Sequence, residues 1–156
     1  HSPHRDKKRG FARCIAILQD MAYPMERVLL DHGNEETIQI TREVGCYQGF
    51  SIYPFTKMDE NRMVAIVQEF GVERMVINSA ADWGVSDPLM VPKTIVKLRQ
   101  AGVAEHAIQQ LVWDNPVGFF AQTGRLDAAE LSQPPGFDRR ETFDGNSVLR
   151  GQDPTR

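Results

Sequence analysis

The stretch Arg27-Val28-Leu29-Leu30-Asp31-His32-Gly33-Asn34-Glu35-Glu36 decides the fold. Val-Leu-Leu is a short, continuous apolar run, the pattern of a parallel strand buried on both faces. The pattern predicts a strand over 27–31. Asn34 then offers an N-cap, Glu35 and Glu36 suit the first turn of a helix, and Gly45 suits its left-handed stop. A strand that passes straight into a helix is a β-then-α unit. The polar pair Asp31-His32 falls where the strand ends. Gly33 after it predicts an exposed turn, and strand alternation predicts that the Asp31 side chain points away from that of His32.

The same unit recurs on either side. Phe11, Cys14, Ile15 and Leu18 recur at helical spacing over 10–22, and Pro24 ends that pattern. Cys46 to Ile52 reads as a strand in which Tyr47, Gly49 and Ser51 alternate with Gln48, Phe50 and Ile52, stopped by Pro54. Asp59 caps a helix with Met63, Ile66, Val67 and Phe70 on its apolar face and Gly71 at its close. Arg74 to Asn78 is another buried strand. A loop of about ten residues follows, carrying Asp82, Trp83, Gly84, Ser86 and Asp87, longer than βα connections usually run. Asp87-Pro88 reads as N-cap and first residue of a helix reaching Gly102, with Val91, Ile95 and Leu98 inward. Pro92 falls early enough to allow a later start. A further helix over Ala104–Val112 leads to Asp114-Asn115-Pro116, and Phe119-Phe120 is expected to pack the terminal helix. From Asp127 the chain is rich in Pro, Gly and charge.

Repeated β-then-α units predict an α/β fold with a parallel sheet. A complete (β/α)₈ TIM barrel takes roughly 250 residues, and this chain has 156. It reads as the C-terminal half of such a barrel, with a domain over 1–126, from the end of a fifth strand at His1 through the terminal helices, and a tail over 127–156. A small doubly wound sheet is the alternative, disfavoured because no Gly-x-Gly-x-x-Gly loop is present. Half a barrel presents two strand edges and an apolar inner face, so the chain is expected to aggregate without the other half.

Composition sets the class. Hydrophobic residues at 41% and charged residues at 25% are ordinary for a soluble globular chain. No apolar run approaches the ~20 residues of a membrane span. The start is charged and lacks Met, which fits a fragment or a processed chain and not a signal peptide. A net charge of −3 gives no global electrostatic case for nucleic acid, although Arg5, Lys7, Lys8 and Arg9 form a local basic cluster. Cys14 and Cys46 make no disulfide framework, and a reduced, cytoplasmic protein is expected.

Catalytic groups of a barrel sit at the C-terminal ends of its strands. Three candidates fall there: His1, His32 and Asp82. Two imidazoles and a carboxylate are the donors of a hydrolytic metal centre. For His32 a strand-end histidine bonded to nearby backbone stands as the alternative. His4 competes with His1 for one role. Asp87 is accounted for as a cap, whereas Asp82 is not, which favours Asp82 as metal ligand and general base. Arg5 and Lys7, with His4, are candidates for an anionic substrate, against a reading as a solvated helix start. Lys57 is a weaker candidate of the same kind. His106, mid-helix among Ala and Gln, is expected to be inert.

Taken together these positions resemble the C-terminal half of a TatD-like metal-dependent hydrolase, within the amidohydrolase-type TIM barrels. The resemblance covers roughly residues 1–125. His1-Ser2 is similar to that family's fifth strand end, His32 to the sixth and Asp82 to the eighth. Asp114-Asn115-Pro116 is similar to the closing Asn-Pro helix. One departure is Asn78-Ser79-Ala80-Ala81-Asp82, where the family often reads Glu-Thr-Asp. The family's first-strand His-x-His pair and mid-barrel Glu have no counterpart in this chain, and 145–151 lies outside the pattern. The resemblance implies one or two divalent ions (zinc, magnesium or manganese) held by His1, His32 and Asp82. A metal-activated water would attack an ester, amide or phosphoester bond of a small-molecule or phosphoester substrate. The rival expectations are a ligand-binding barrel without turnover and a metal-dependent sugar isomerase-like barrel.

Overall fold

A computed structural model describes residues 5–55, 58–80 and 85–131. The chain divides into two compact units, residues 1–126 and 127–156. In the second unit the described element is a short helix, Ala128–Leu131.

The first unit alternates helix and strand: α1 (Lys7–Asp20), β1 (Leu29–Leu30), α2 (Glu35–Glu43), β2 (Tyr47–Ile52), α3 (Glu60–Phe70), β3 (Met75–Ser79), α4 (Met90–Gln100) and α5 (Glu105–Gln109). A π-helical turn, Gln110–Asp114, carries α5 into α6 (Asn115–Ala121). The strands are parallel and stand in chain order β1-β2-β3. Leu30 lies opposite Gln48, and β2 and β3 are in register from Gln48–Met75 to Ile52–Ser79.

Strand parity shows where the helices lie. Phe50 and Ile52 of β2 and Met75 and Ile77 of β3 share one core with Ile38 of α2, Met63, Ile66 and Val67 of α3, and Met90 and Leu98 of α4. Val28 and Leu30, on the same face, pack with Phe11 and Ile15 of α1. The helices that follow these strands therefore cover one face of the sheet. A doubly wound sheet carries helices on both faces; a barrel wall carries them on one. The α/β fold with a parallel sheet is as expected, and the one-sided cover is consistent with part of a barrel wall.

Several boundaries differ from the sequence reading. Helix α1 starts at Lys7, not at 10, because the Asp6 carboxylate caps it by accepting from the Arg9 N–H at 3.3 Å; its polar first turn carried no apolar period. It ends by a backbone stop before Pro24. Ala22 takes a left-handed φ of 53° and Tyr23 N–H returns to Leu18 C=O at 2.9 Å. Strand β1 is two residues, Leu29–Leu30, shorter than 27–31. The Asp59, Asn34 and Gly71 termini fall where expected. Asp87-Pro88 is not the start of α4. The Asp87 carboxylate accepts from Leu89 N–H at 2.9 Å and pairs with Lys93, and the helix begins at Met90, with Pro92 in its donor-free first turn.

The helix read over 104–112 continues through a π-helical turn into Asn115-Pro116. Pro116 occupies the first turn of α6, where no N–H is required. Helix α6 then runs beneath the N-terminal end of the sheet. Buried Asn115 donates to Val72 C=O at 2.7 Å and Met75 C=O at 2.8 Å, at the start of β3. Phe119 meets the Tyr47 ring of β2 at 5.0 Å. Gln122 donates to Glu26 C=O at 3.1 Å and its own carbonyl accepts from Arg27 at 2.8 Å, just before β1. One end of the sheet is thus closed by α6, and the C-terminal ends of the strands form the opposite end.

Candidate metal centre

At that opposite end, β1 stops at Leu30, and the next two residues build the site. His32 takes a left-handed φ of 62°, a conformation that costs a non-glycine residue roughly 1 kcal/mol and to which His is better suited than bulky side chains. The turn changes the parity of the strand. Asp31 and His32 were expected to diverge; instead both reach the face opposite the helices. The imidazole Nε2 lies 3.8 Å from Asp31 Oδ2, and Nδ1 lies 2.9 Å from Ser51 Oγ. Asp31 Oδ1 accepts the His32 backbone N–H at 2.8 Å and lies 3.5 Å from Ser51 Oγ. His32 and Ser51 are buried, and Asp31 is partly buried.

Glycines at two positions make the convergence possible. Gly49 sits on β2 between Tyr47 and Ser51, and a Cβ there would stand 2.3 Å from Asp31 Oδ1 and 3.2 Å from Asp31 Cα. Gly33 is not the exposed turn expected of it. It is buried, its N–H donates to Gly49 C=O at 2.8 Å, and a Cβ would stand 2.0 Å from Gln48 Nε2. Its lack of a side chain admits Gln48, which donates to Thr37 Oγ1 at 2.8 Å and Asn34 C=O at 3.2 Å and accepts from Thr41 at 2.8 Å. That buried network ties α2 to β2 directly under the site.

From the other side, Lys7 at the start of α1 donates to His32 C=O at 2.5 Å. An ammonium on the carbonyl of a left-handed residue holds the turn, so Lys7 positions His32 in this structure. Arg5, Lys8 and Arg9 of the basic cluster are exposed. His106 is exposed on α5. Cys14 and Cys46 are both free thiols, and burial pushes the Cys46 thiol up to about 11, an inert state at neutral pH. Phe119 packs against Tyr47, whereas Phe120 is half exposed and meets Phe119 edge-on at 5.2 Å.

His1, His4, Lys57, Asp82 and Trp83 lie outside the described residues. Among the described residues no group of three or more His, Cys, Asp or Glu side chains comes together. The pair that does come together, an imidazole whose Nδ1 meets Ser51 and an adjacent carboxylate, suits a divalent ion in kind. Ser51 was missed in the sequence. The available signal was parity, since Gly49 and Ser51 put two small residues on the β2 face that borders Asp31. Among the described residues no helix is long and apolar enough to cross a membrane.

No protein-family profile matches the chain, and no solved structure matches it. The chain is 26% identical over 121 residues to a protein of Methanocaldococcus jannaschii named as an uncharacterized metal-dependent hydrolase. The match takes in 77% of this chain and 47% of that protein, so the chain spans about half the length of the curated relative it resembles.

Proposed function

We propose that the chain is the C-terminal part of a metal-dependent hydrolase of the TatD-like type, with residues 1–126 as the part of a (β/α)₈ barrel that carries the site. The observation that carries this reading is the buried His32 imidazole, seated with Asp31 at the C-terminal end of a parallel sheet whose helices lie on one face. The distant similarity to a protein named as a metal-dependent hydrolase supports it. Zinc, magnesium or manganese, as one or two ions, would be held by His32 with His1 and Asp82. A metal in that position supplies an activated water and polarises an ester, amide or phosphoester. Asp82 would serve as the general base toward that water. Ser51 Oγ lies 2.9 Å from His32 Nδ1, and His32 would offer Nε2 to the ion. Lys7, bonded to His32 C=O at that end, favours an anionic small-molecule or phosphoester substrate, with His4 and Arg5, close to it in sequence, as further candidates. A reducing, cytoplasmic setting fits the two free thiols.

The test is metal content and turnover in the full chain, alone and co-expressed with the upstream half of its own gene. His32→Ala and Asp82→Ala are each expected to lose bound metal and hydrolysis of generic phosphoester and carboxylester reporters. Wild-type metal content and turnover in both variants would overturn the reading. Tight metal-dependent ligand binding without hydrolysis would point to the non-catalytic barrel, and a metal-dependent isomer without hydrolysis to the isomerase-like one.

A further inference from the structure

We infer that Asn78, near the end of β3, is a substrate-binding residue whose carboxamide donates to an oxygen of the scissile phosphoester or carboxylester taken at the His32 end of the sheet. The inference rests on the proposed hydrolase for the class of substrate, and on the geometry of β2 and β3 for the residue.

Strand alternation sets the direction of each side chain at this end. Met75 and Ile77 of β3 enter the core beneath the helices. Ser79 follows them in parity, and its hydroxyl accepts from the Val91 N–H at 2.9 Å, at the start of α4. Val76 and Asn78 therefore lie on the other face, shared with Gly49 and Ser51. Gly49 pairs with Val76 across the strands, and Ser51 pairs with Asn78. Ser51 Oγ in turn lies 2.9 Å from the His32 ring. The His32 ring, Ser51 and Asn78 thus form one row across the ends of three neighbouring strands. The backbones of β1 and β3 stand about 10 Å apart, two strand spacings. Small side chains at 49 and 51 leave room between them for one polar group of a substrate.

Asn78 differs from the other carboxamides that meet the sheet. Gln48 bonds to Thr37, Thr41 and the Asn34 carbonyl, and Asn115 bonds to the Val72 and Met75 carbonyls. Both join one element to another. The Asn78 carboxamide is half-buried and makes no hydrogen bond among the described residues. Asparagine is a poor strand former, and an amide withdrawn from water without a partner costs free energy. Valine would serve the strand better. A residue that weakens its own strand and holds no neighbour, at the strand end where barrels place their chemistry, is the mark of a ligand contact. Its two N–H donors suit an oxygen that gains negative charge, as a phosphoryl or acyl oxygen does under attack by water. A carboxamide donates there without adding a negative charge of its own.

The test uses the full chain co-expressed with the upstream half of its own gene, as wild type, Asn78→Val and Asn78→Ala. Melting temperature without ligand is measured first. At least one variant is expected to match wild type or exceed it, Asn78→Val by about 2–4 °C. A fall in both variants shows that Asn78 holds the fold, and overturns the inference. The variant that keeps wild-type stability is then assayed for bound metal and for kcat/KM on phosphoester and carboxylester reporters. Metal content is expected to stay at wild type while kcat/KM drops about 10–100-fold, the worth of one hydrogen bond to a charged oxygen. A drop on the phosphoester alone identifies a phosphoryl oxygen as the acceptor, and on the carboxylester alone an acyl oxygen. Loss of metal in step with activity overturns the substrate contact. Unchanged kcat/KM on both reporters, with metal bound, also overturns it and leaves the hydrolase reading standing. Neither metal nor turnover in the wild type overturns that reading instead, and calorimetric titration with inorganic phosphate then decides for Asn78. Phosphate bound by the wild type and weakened in the variant sustains the contact; equal affinity, or no binding, overturns it.

Discussion

Replacing Gly49 with alanine asks whether the fold and the site are as tightly joined as the distances say. The added Cβ would stand 2.3 Å from Asp31 Oδ1, 3.0 Å from its Cγ and 3.2 Å from its Cα. The first two contacts are relieved only if the carboxylate swings away, which breaks its bond to the His32 N–H at 2.8 Å. A hydrogen bond to a charged group is worth about 1.5–3 kcal/mol. The third contact is with backbone, so β1 and β2 must part slightly, an overpacking cost of about 1–3 kcal/mol. Gly49 does not have a positive φ, so alanine returns about 0.4–1 kcal/mol by restricting the unfolded chain. The balance is a loss of about 2–5 kcal/mol. In a domain of this size that lowers Tm by roughly 6–15 °C. The assay is urea and thermal denaturation of Gly49→Ala beside Gly118→Ala. Gly118 lies within α6 with nothing within 4 Å of its added Cβ, so that control is expected to gain about 0.5–1 kcal/mol. Stability of Gly49→Ala equal to or above wild type would refute the placement of Asp31 against β2, and with it the convergence of Asp31, His32 and Ser51.

Two further outcomes are expected away from the site. Asn115→Ala removes two bonds, to Val72 and Met75 carbonyls, and should cost about 2–4 kcal/mol by urea denaturation; Asn115→Asp, which turns an acceptor toward both carbonyls, should cost more. A change of less than about 0.5 kcal/mol in either would contradict the role of α6 as the closing helix. Glu35 and Arg62 form a bidentate pair at 2.7 Å on the surface, and the hydrogen bond from Arg62 holds the Glu35 carboxyl below its ordinary value of 4.5. A lowered carboxyl contributes stability above that ordinary value and loses it as pH falls through the lowered one. The pair is more than one-third exposed, so its worth is under about 1 kcal/mol. Glu35→Gln should therefore flatten the acid limb of the stability curve below about pH 4.5, and an unaltered limb would show that the pair is not formed in solution.

The alternation of strand and helix was legible because both long-range and local signals agreed. Val28-Leu29-Leu30 and Met75-Val76-Ile77 are apolar on both faces, as parallel strands must be, and Asn34, Asp59 and Gly71 mark helix ends by local chemistry that tertiary packing did not override. Strand β2 was recognisable, but the partners of its polar residues were not. Gln48 alternates on the same side as Phe50 and Ile52, and it is 3% exposed there because Thr37, Thr41 and the Asn34 carbonyl satisfy its amide. A buried amide is indistinguishable from a solvated one until its partners, 14 residues or fewer away in sequence but across an element boundary, are brought to it. Asn115 illustrates the same limit at the other end of the sheet.

His32 was legible by position and Asp31 was misjudged by direction, for one reason. Pleated alternation holds only while the strand continues, and β1 ends one residue before Asp31. A single left-handed residue then puts two consecutive side chains on one face. Such a turn usually announces itself as glycine, and here glycine stands at the neighbouring position and serves a different purpose, admitting Gln48. The strain at His32 is sustained by contacts from elsewhere in the chain: Lys7 on its carbonyl, Asp31 on its N–H and Ser51 on its ring. Backbone held in a costly conformation by three separate groups is the condition under which strain persists at a functional position. The same three groups that hold the turn also aim the imidazole, so a site of this kind becomes visible only when the parity of β2 is combined with the end of β1.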